Sequence, residues 1–338
     1  MRVRVKGVDS YGPSCTFEFN EKNMKRVVYI TGCLGFMGSH VTRACLARGW
    51  YVRGVDKITY AATPNLLDEF YESPNFTFDE QDINDIERLY ECDYVINMAA
   101  ETHVDNSIAS SEVFLRSNIN GVWHLLELIK NAKHKPTLLH FSTDEVYGDI
   151  VEGFHHETDL LKPSNPYSAT KAAADQLILA WARTFAVPYV IVRPTNNYGV
   201  GQYIEKFIPK SVKALSLGRP IPLHDAGQPR RTWLHAADTA EAVITLIEAG
   251  VQNDIYNISG NYEEQNIVIA KKIIDLYYLG GCKGLYDEHL DTTIRRQGQD
   301  VRYAIDDSKL KALGWQPQAV FDQELKLIVE YYAKNFVW

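Results

Sequence analysis

A chain of 338 residues, 46% hydrophobic and 23% charged, is long enough for two lobes and apolar enough for a real core. Its formal net charge of −8, with no long basic run, argues against a nucleic-acid partner, because phosphate contacts need clustered Lys and Arg. No apolar stretch approaches the ~18 residues of a membrane span, and MRVRVKGVDSYG has no apolar signal core, so no membrane partner and a cytoplasmic location are expected.

Five cysteines (Cys15, Cys33, Cys45, Cys92, Cys282) are scattered without a CxxC pair, which suggests free thiols and no metal site. Residues 1–23 read as an irregular extension. From there strands and helices alternate. RVVYIT (26–31) is an apolar strand, followed by GCLGFMG and a helix to about Arg48, with Gly49 as its C-terminal cap. YVRGVD (51–56), NFTFDEQDI (75–83) and YVINMAA (94–100) are the next three strands. A long helix fits 112–132, with Leu115, Ile119, Val122, Leu126 and Ile129 at three- and four-residue steps. TLLHFST is a fifth strand, 168–186 a second long helix, and YVIVRP (189–194) a sixth strand. This rhythm predicts an α/β fold, a doubly wound parallel sheet. After Pro194 Pro and Gly become frequent and the alternation blurs, which predicts a smaller mixed C-terminal lobe.

Three features carry chemistry. In TGCLGFMGSH, Gly32 permits a tight turn, Gly35 lets backbone approach a pyrophosphate, and Gly38 lets helix pack close on strand. Asp56, ending the second strand, stands where an acid accepts bonds from adenosine ribose hydroxyls. A carboxylate there repels a 2′-phosphate, which favours NAD over NADP, although Lys57 adjoins it. Asp82 is a second polar group at that edge, or the N-cap of a helix in INDIERLYE.

Next, PYSATKAAADQ puts Tyr167 and Lys171 four residues apart, on one helical face. A tyrosine acting as base near pH 7 needs its pKa lowered by ~3 units, about 4 kcal/mol. One ammonium ~4 Å away at an effective dielectric of ~20 supplies about that much. Thr143 is placed to share the hydroxyl proton network. Last, Asp144 and Glu145 leave the fifth strand side by side. Adjacent residues leaving a strand can point differently, so one can serve as an acid and the other as a base.

Together these segments, with VDKITYA, AAETHVDNSI, STDEVYGD, NNYG, EKFIP, RRTWLH, YNISG and QDVRYAID, resemble the extended short-chain dehydrogenase/reductases, and within them the nucleotide-sugar 4,6-dehydratases. The resemblance implies a Rossmann domain at 24–195 and a mainly substrate-binding lobe at 196–338, with some segments returning to the first domain. It implies that Tyr167, with Lys171 and Thr143, takes the sugar 4-hydroxyl proton while NAD accepts hydride from carbon-4. Glu145 then takes the carbon-5 proton, Asp144 protonates the departing 6-hydroxyl, and hydride returns to carbon-6.

It further implies NAD contacts at Gly32, Gly35, Phe36, Met37, Gly38, Asp56, Lys57, Thr59, Asp82, Ile83, Ala99, Ser117, Tyr167, Lys171 and Asn197. Sugar-nucleotide contacts are implied at Thr102, Thr143, Asn196, Lys206, Arg231, Asn266 and Arg296, with Arg231 on the diphosphate. His103 is either a substrate-side residue or a satisfied loop histidine. Relatives pair the two long helices, so a homodimer is expected, with Trp123 and Trp181 on those helices.

Some residues depart from the pattern. Cys33–Leu34 is bulkier than the usual pair in the glycine loop, and Thr232 and Ala236–Ala237 differ from the common residues. His224 stands where the bacterial deoxythymidine-diphosphate enzymes commonly have tyrosine, and the segment from Gly148 to Tyr167 is short. THVDNS, NPYSATK and His224 look more like the UDP-rhamnose route, so UDP-glucose is expected over dTDP-glucose. A UDP-sugar 4-epimerase and a non-catalytic NAD-binding scaffold are the rival readings. The first has no use for Asp144 and Glu145, and the second commonly lacks the tyrosine or the lysine.

Overall fold

The computed structural model describes residues 25–279, 285–298 and 300–335. Its centre is a parallel sheet of seven strands: β1 (Val27–Thr31), β2 (Tyr51–Asp56), β3 (Phe76–Glu80), β4 (Tyr94–Asn97), β5 (Thr137–Phe141), β6 (Tyr189–Pro194) and, after three short strands, β10 (Asp254–Ile258). Their order is β10-β6-β5-β4-β1-β2-β3. Chain order reverses beside β1, and the crevice beyond the carboxyl ends of β1 and β4 is where such sheets take ligands.

All residues of β4, β5 and β6 are buried, as expected for strands covered on both faces. Burial of Leu138, Leu139 and Phe141 contributes roughly 5–9 kcal/mol, which anchors the strand that delivers Thr143 to Glu145.

The remaining strands build the C-terminal lobe. β7 (Asn196–Tyr198), β9 (Arg230–His235) and β11 (Tyr262–Gln265) form a three-stranded mixed sheet, and β8 (Ile221–Pro222) pairs with β12 (Leu290–Asp291). Helices Phe207–Ser216, Asn266–Tyr277 and Phe321–Lys334 cover that sheet over a core that includes Tyr198, Trp233, Ile273 and Phe321. Helix Ala236–Glu248 instead packs on helix Phe36–Ala47 of the nucleotide half, and β10 joins the main sheet.

Several expected boundaries move. β3 stops at Glu80, β4 at Asn97 and β5 at Phe141, each short of its predicted end. Past β5 the chain leaves the sheet and enters a 3-10 turn, Asp144–Tyr147, capped by Thr143. The second long helix starts at Pro166, two residues early, because Asn165 and Ser168 form a reciprocal capping box.

The helix expected at 112–132 is broken by a π-helical turn, Leu115–Asn120, before it resumes as Gly121–Asn131. The extra residue shifts the helix phase. Leu115, expected inside, is 47% exposed, while Ser117 and Asn118 turn inward. Asp82 caps no helix. Its carboxylate accepts from the Asn84 backbone N–H at 3.0 Å, in a local turn. Cys33 and Cys45 are buried free thiols and Cys92 is partly buried, and burial pushes all three thiols up. Cys15 and Cys282, with the 1–23 extension, lie outside the described residues. No described helix is long and apolar enough to cross a membrane, and no cluster of three or more metal-ligating side chains occurs among the described residues.

Candidate active site

Every residue named from the sequence as a catalytic or binding candidate lines one cleft of ≈ 470 Å³ at the carboxyl ends of the sheet strands. Its nucleotide half is made by backbone. Gly32 has φ +72°, and a Cβ there would lie 2.7 Å from the Ala99 nitrogen. A Cβ on Gly38 would sit 1.9 Å from the Gly32 carbonyl oxygen, so helix Phe36–Ala47 approaches β1 only because position 38 is glycine. Gly35 caps that helix and presents its free N–H groups to the cleft. The bulky Cys33 is accommodated by Gly54 on β2, where a Cβ would come within 2.7 Å of its sulfur.

Asp56 is held by two backbone donors, the Leu34 N–H (3.1 Å) and the Ile58 N–H (2.9 Å), one on each oxygen. Each oxygen keeps a second lone pair for a ligand. Lys57 Nζ reaches Ser117 Oγ (3.3 Å) and Asp82 Oδ2 (3.5 Å), which gathers three residues from distant segments at one edge. Phe36, Met37, Thr59, Ile83 and Ala99 line the same half. Asn197 also lines it, with its amide held by Thr239 and by the Thr195 carbonyl.

At the centre, β5 and its 3-10 turn deliver Thr143, Asp144 and Glu145 beside Tyr167 on helix Pro166–Phe185. The two carboxyl groups have different surroundings. Asp144 is 2% exposed, and burial, then the Glu145 charge, pushes its carboxyl up to about 7. Burial raises Glu145 too, opposed by the Arg231 charge and by the Asn165 amide, which donates to Glu145 Oε2 at 3.3 Å. Beside the Tyr167 phenol, the Thr143 hydroxyl donates to Asp144 Oδ1 at 3.2 Å and accepts from the Glu145 N–H at 3.3 Å.

The Tyr167–Lys171 pair departs from expectation. Burial, then the Glu145 charge, pushes the phenol upward. Lys171 Nζ instead meets the buried His140 ring at 3.3 Å. Burial lowers the Lys171 ammonium to about 8.

The substrate half joins the two lobes. Lys206 donates to the Thr102 hydroxyl (3.0 Å) and carbonyl (3.1 Å). Arg296 grips Asp105 with two hydrogen bonds of 2.6 and 2.9 Å, across 191 residues of sequence. Arg231, 8% exposed, is held by the carbonyls of Arg230 (2.7 Å) and Asp300 (3.2 Å) and stacks on Tyr303, 4.7 Å from the ring centre. Tyr303 and Ser164 both donate to Asp300, which fixes that support. His103 caps helix Val104–Ala109 by accepting from the Asn106 N–H at 3.3 Å, while still lining the cleft. Asn196 lines the cleft between Thr195 and Asn197. Buried Asn266 Oδ1, Trp233 Nε1 and His224 Nδ1 have no protein partner among the described residues, and all three residues line this half. Orphaned buried donors and acceptors in a cleft are suited to a polar ligand.

Sequence reasoning missed Asp105, His140, Asn165, Asp300 and Tyr303. Asn165 had a legible signal, an Asn before Pro at a helix start. The others depend on partners that sequence distance hides.

Known proteins resemble this chain in sequence and fold. Residues 28–259 match the model described as the NAD dependent epimerase/dehydratase family. The dTDP-glucose 4,6-dehydratase of Haemophilus influenzae is 39% identical over 331 residues, covering 91% of this chain and 98% of that protein. The Arabidopsis thaliana trifunctional UDP-glucose 4,6-dehydratase/UDP-4-keto-6-deoxy-D-glucose 3,5-epimerase/UDP-4-keto-L-rhamnose-reductase RHM2 is 35% identical, covering 92% of this chain and 48% of that protein. The crystal structure of DesIV, the dTDP-glucose 4,6-dehydratase of Streptomyces venezuelae with NAD and TYD bound, is 33% identical, covers 91% of this chain and 97% of that one, and superposes with a TM-score of 0.85.

Proposed function

The chain belongs to the NAD dependent epimerase/dehydratase family, and we propose that it is a nucleotide-sugar 4,6-dehydratase that converts UDP-glucose or dTDP-glucose to the 4-keto-6-deoxy sugar nucleotide and water. One observation carries this reading. Asp144 and Glu145 stand beside Tyr167 in a single cleft, with the more buried Asp144 held up to about 7 and Glu145 tempered by Arg231 and Asn165. An epimerase has no work for such a pair.

The nucleotide half fits NAD. Gly35 and the helix N-terminus suit the pyrophosphate, Asp56 the adenosine ribose, and the Lys57–Asp82–Ser117 group the adenine edge. Bound NAD supplies the acceptor that takes hydride from carbon-4 and returns it to carbon-6. The protein's part is proton handling. Tyr167, with Thr143 beside it, takes the 4-hydroxyl proton, with Lys171 as its cationic support. Glu145 removes the carbon-5 proton, which the new ketone acidifies, and later returns it. Asp144, protonated near neutral pH, gives its proton to the departing 6-hydroxyl. Arg231 and Arg296 suit the diphosphate, with Lys206, Thr102, Asn196 and Asn266 around the sugar and base.

The test is to incubate the protein with UDP-glucose and dTDP-glucose side by side and weigh the products. Loss of one water is expected. An unchanged mass with galactose formed would replace this reading by 4-epimerisation. The faster of the two substrates fixes the nucleotide, for which the relatives offer both precedents.

The same reading includes a homodimer through helices Gly121–Asn131 and Pro166–Phe185. Val113, Leu115 and Trp123 are exposed on the first helical stretch, with Trp123 at 47%, and Phe185 ends the second. Trp181 is partly buried and donates to Glu127 at 2.8 Å. Light scattering at micromolar concentration should give twice the chain mass, and Trp123→Glu should halve it.

A further inference from the structure

A buried hydrogen-bonded chain runs beneath the cleft, from β1 through β4 and β5 to helix Pro166–Phe185. Thr31 Oγ1 accepts from the Ala99 backbone N–H (3.3 Å), so its own hydrogen goes to Asn97 Oδ1, 2.7 Å away. With its oxygen so occupied, the Asn97 amide turns its Nδ2 to His140 Nδ1, 3.0 Å away, and donates to it. A neutral imidazole that accepts at Nδ1 carries its hydrogen on Nε2. That Nε2–H faces Lys171 Nζ at 3.3 Å. All four side chains are buried.

An N–H aimed at a lysine nitrogen bonds to an amine lone pair and opposes an ammonium. We propose that His140 is a positioning residue for Lys171: Thr31 and Asn97 lock its imidazole as the Nε2–H tautomer, and that N–H bonds to the lysine nitrogen and opposes its ammonium form. Of the other charged and titratable groups around Lys171, the Asp175 charge favours the ammonium and so acts against His140. Tyr167 and Asp175 share its helix. Asp175 is engaged by Arg193 of β6, whose Nε and Nη2 both lie 3.0 Å from Oδ2, and Arg193 also donates to Tyr147 at 2.7 Å. No carboxylate forms an ion pair with Lys171 among the described residues. Burial lowers Lys171 to about 8 and drives His140 well below the ordinary imidazole range, so the ring stays neutral while the lysine changes charge near working pH.

The consequence rests on the dehydratase reading only for the role of Tyr167. The ammonium form supports a Tyr167 phenolate and the amine does not. Turnover therefore falls as pH rises through the Lys171 pKa, and the His140 tautomer sets where. Thr31→Val removes one hydroxyl from a site outside the cleft. Asn97 is then free to turn over, His140 can carry its hydrogen on Nδ1, and Nε2 can accept from the ammonium. Asn97→Asp, which can only accept from the ring, enforces the same switch.

The experiment uses the NAD-loaded enzyme. Nitrogen-15 NMR of labelled histidine, with the His140 signals assigned by their loss in His140→Gln, should show Nε2 protonated and Nδ1 bare in the wild type, and the reverse in Asn97→Asp. In Thr31→Val the alkaline limb of kcat should move up by about one pH unit, with the sugar-nucleotide KM unchanged. A wild-type ring protonated on Nδ1 overturns the proposal. So does a tautomer indifferent to both substitutions, or a limb that stays put when the tautomer switches. The NMR requires no turnover, so the expected tautomer in a protein that removes no water from either substrate would sink the dehydratase reading and leave the locked tautomer standing.

Discussion

Asp144→Asn tests the electrostatics of the site through folding as well as activity. The ordinary carboxyl value of 3.8 rises to about 7 at Asp144, chiefly because the group is buried. Between those values the folded protein holds a proton that the unfolded chain has released. Stability from this group is therefore fully present below about pH 4 and is lost as pH rises through about 7. Each pH unit corresponds to 1.36 kcal/mol, so the wild type should lose about 2–3 kcal/mol between pH 5 and pH 8 relative to the asparagine variant, which carries no charge there. Urea unfolding of both proteins at several pH values, without sugar nucleotide, measures this as a difference, in which the titrations of groups not coupled to Asp144 cancel. The variant should be the more stable at pH 8 and lose dehydration rate by about 10²–10⁴. A stability difference independent of pH would show that Asp144 is ionised in the fold and refute its assignment as the acid.

Glu145→Gln should oxidise carbon-4 but stall before elimination, so reduced-nicotinamide absorbance builds up and carbon-5 exchanges no deuterium from solvent. Normal dehydration by that variant would remove Glu145 as the base. Tyr167→Phe should block the earlier step, with no absorbance change and a rate loss of about 10²–10⁴. Gly38→Ala sets a Cβ 1.9 Å from the Gly32 carbonyl, so helix and strand must part. NAD titrated by fluorescence quenching should then bind at least tenfold more weakly, and unchanged binding would contradict the close-packing role.

Local spacing carried a large part of the site. Three glycines between strand and helix, a tyrosine four residues before a lysine, and two acids after an apolar strand are short-range patterns, and the backbone between them leaves few placements. The apolar strands were equally legible, because a strand covered on both faces must be apolar throughout. Boundaries were less so. Asp144 and Glu145 read as a strand end because a 3-10 turn has no apolar period of its own. The π turn at Leu115–Asn120 was invisible because one inserted residue leaves composition unchanged and alters only the helix phase.

The sequence by itself therefore determined which chemical groups are present, the alternation that makes a parallel sheet, and the residues that its strand ends must carry to one edge. Tertiary structure alone decided their proton states and their partners. Lys171 stands four residues from Tyr167, yet its nitrogen meets His140 on another element, and His140 takes its tautomer from Asn97 and Thr31 on two further strands. Arg296 finds Asp105 across 191 residues, and Arg231 rests on Tyr303 and the Asp300 carbonyl. Desolvation and hydrogen-bond direction depend on every neighbour in three dimensions, and strand order with helix phase, not distance along the chain, chooses those neighbours.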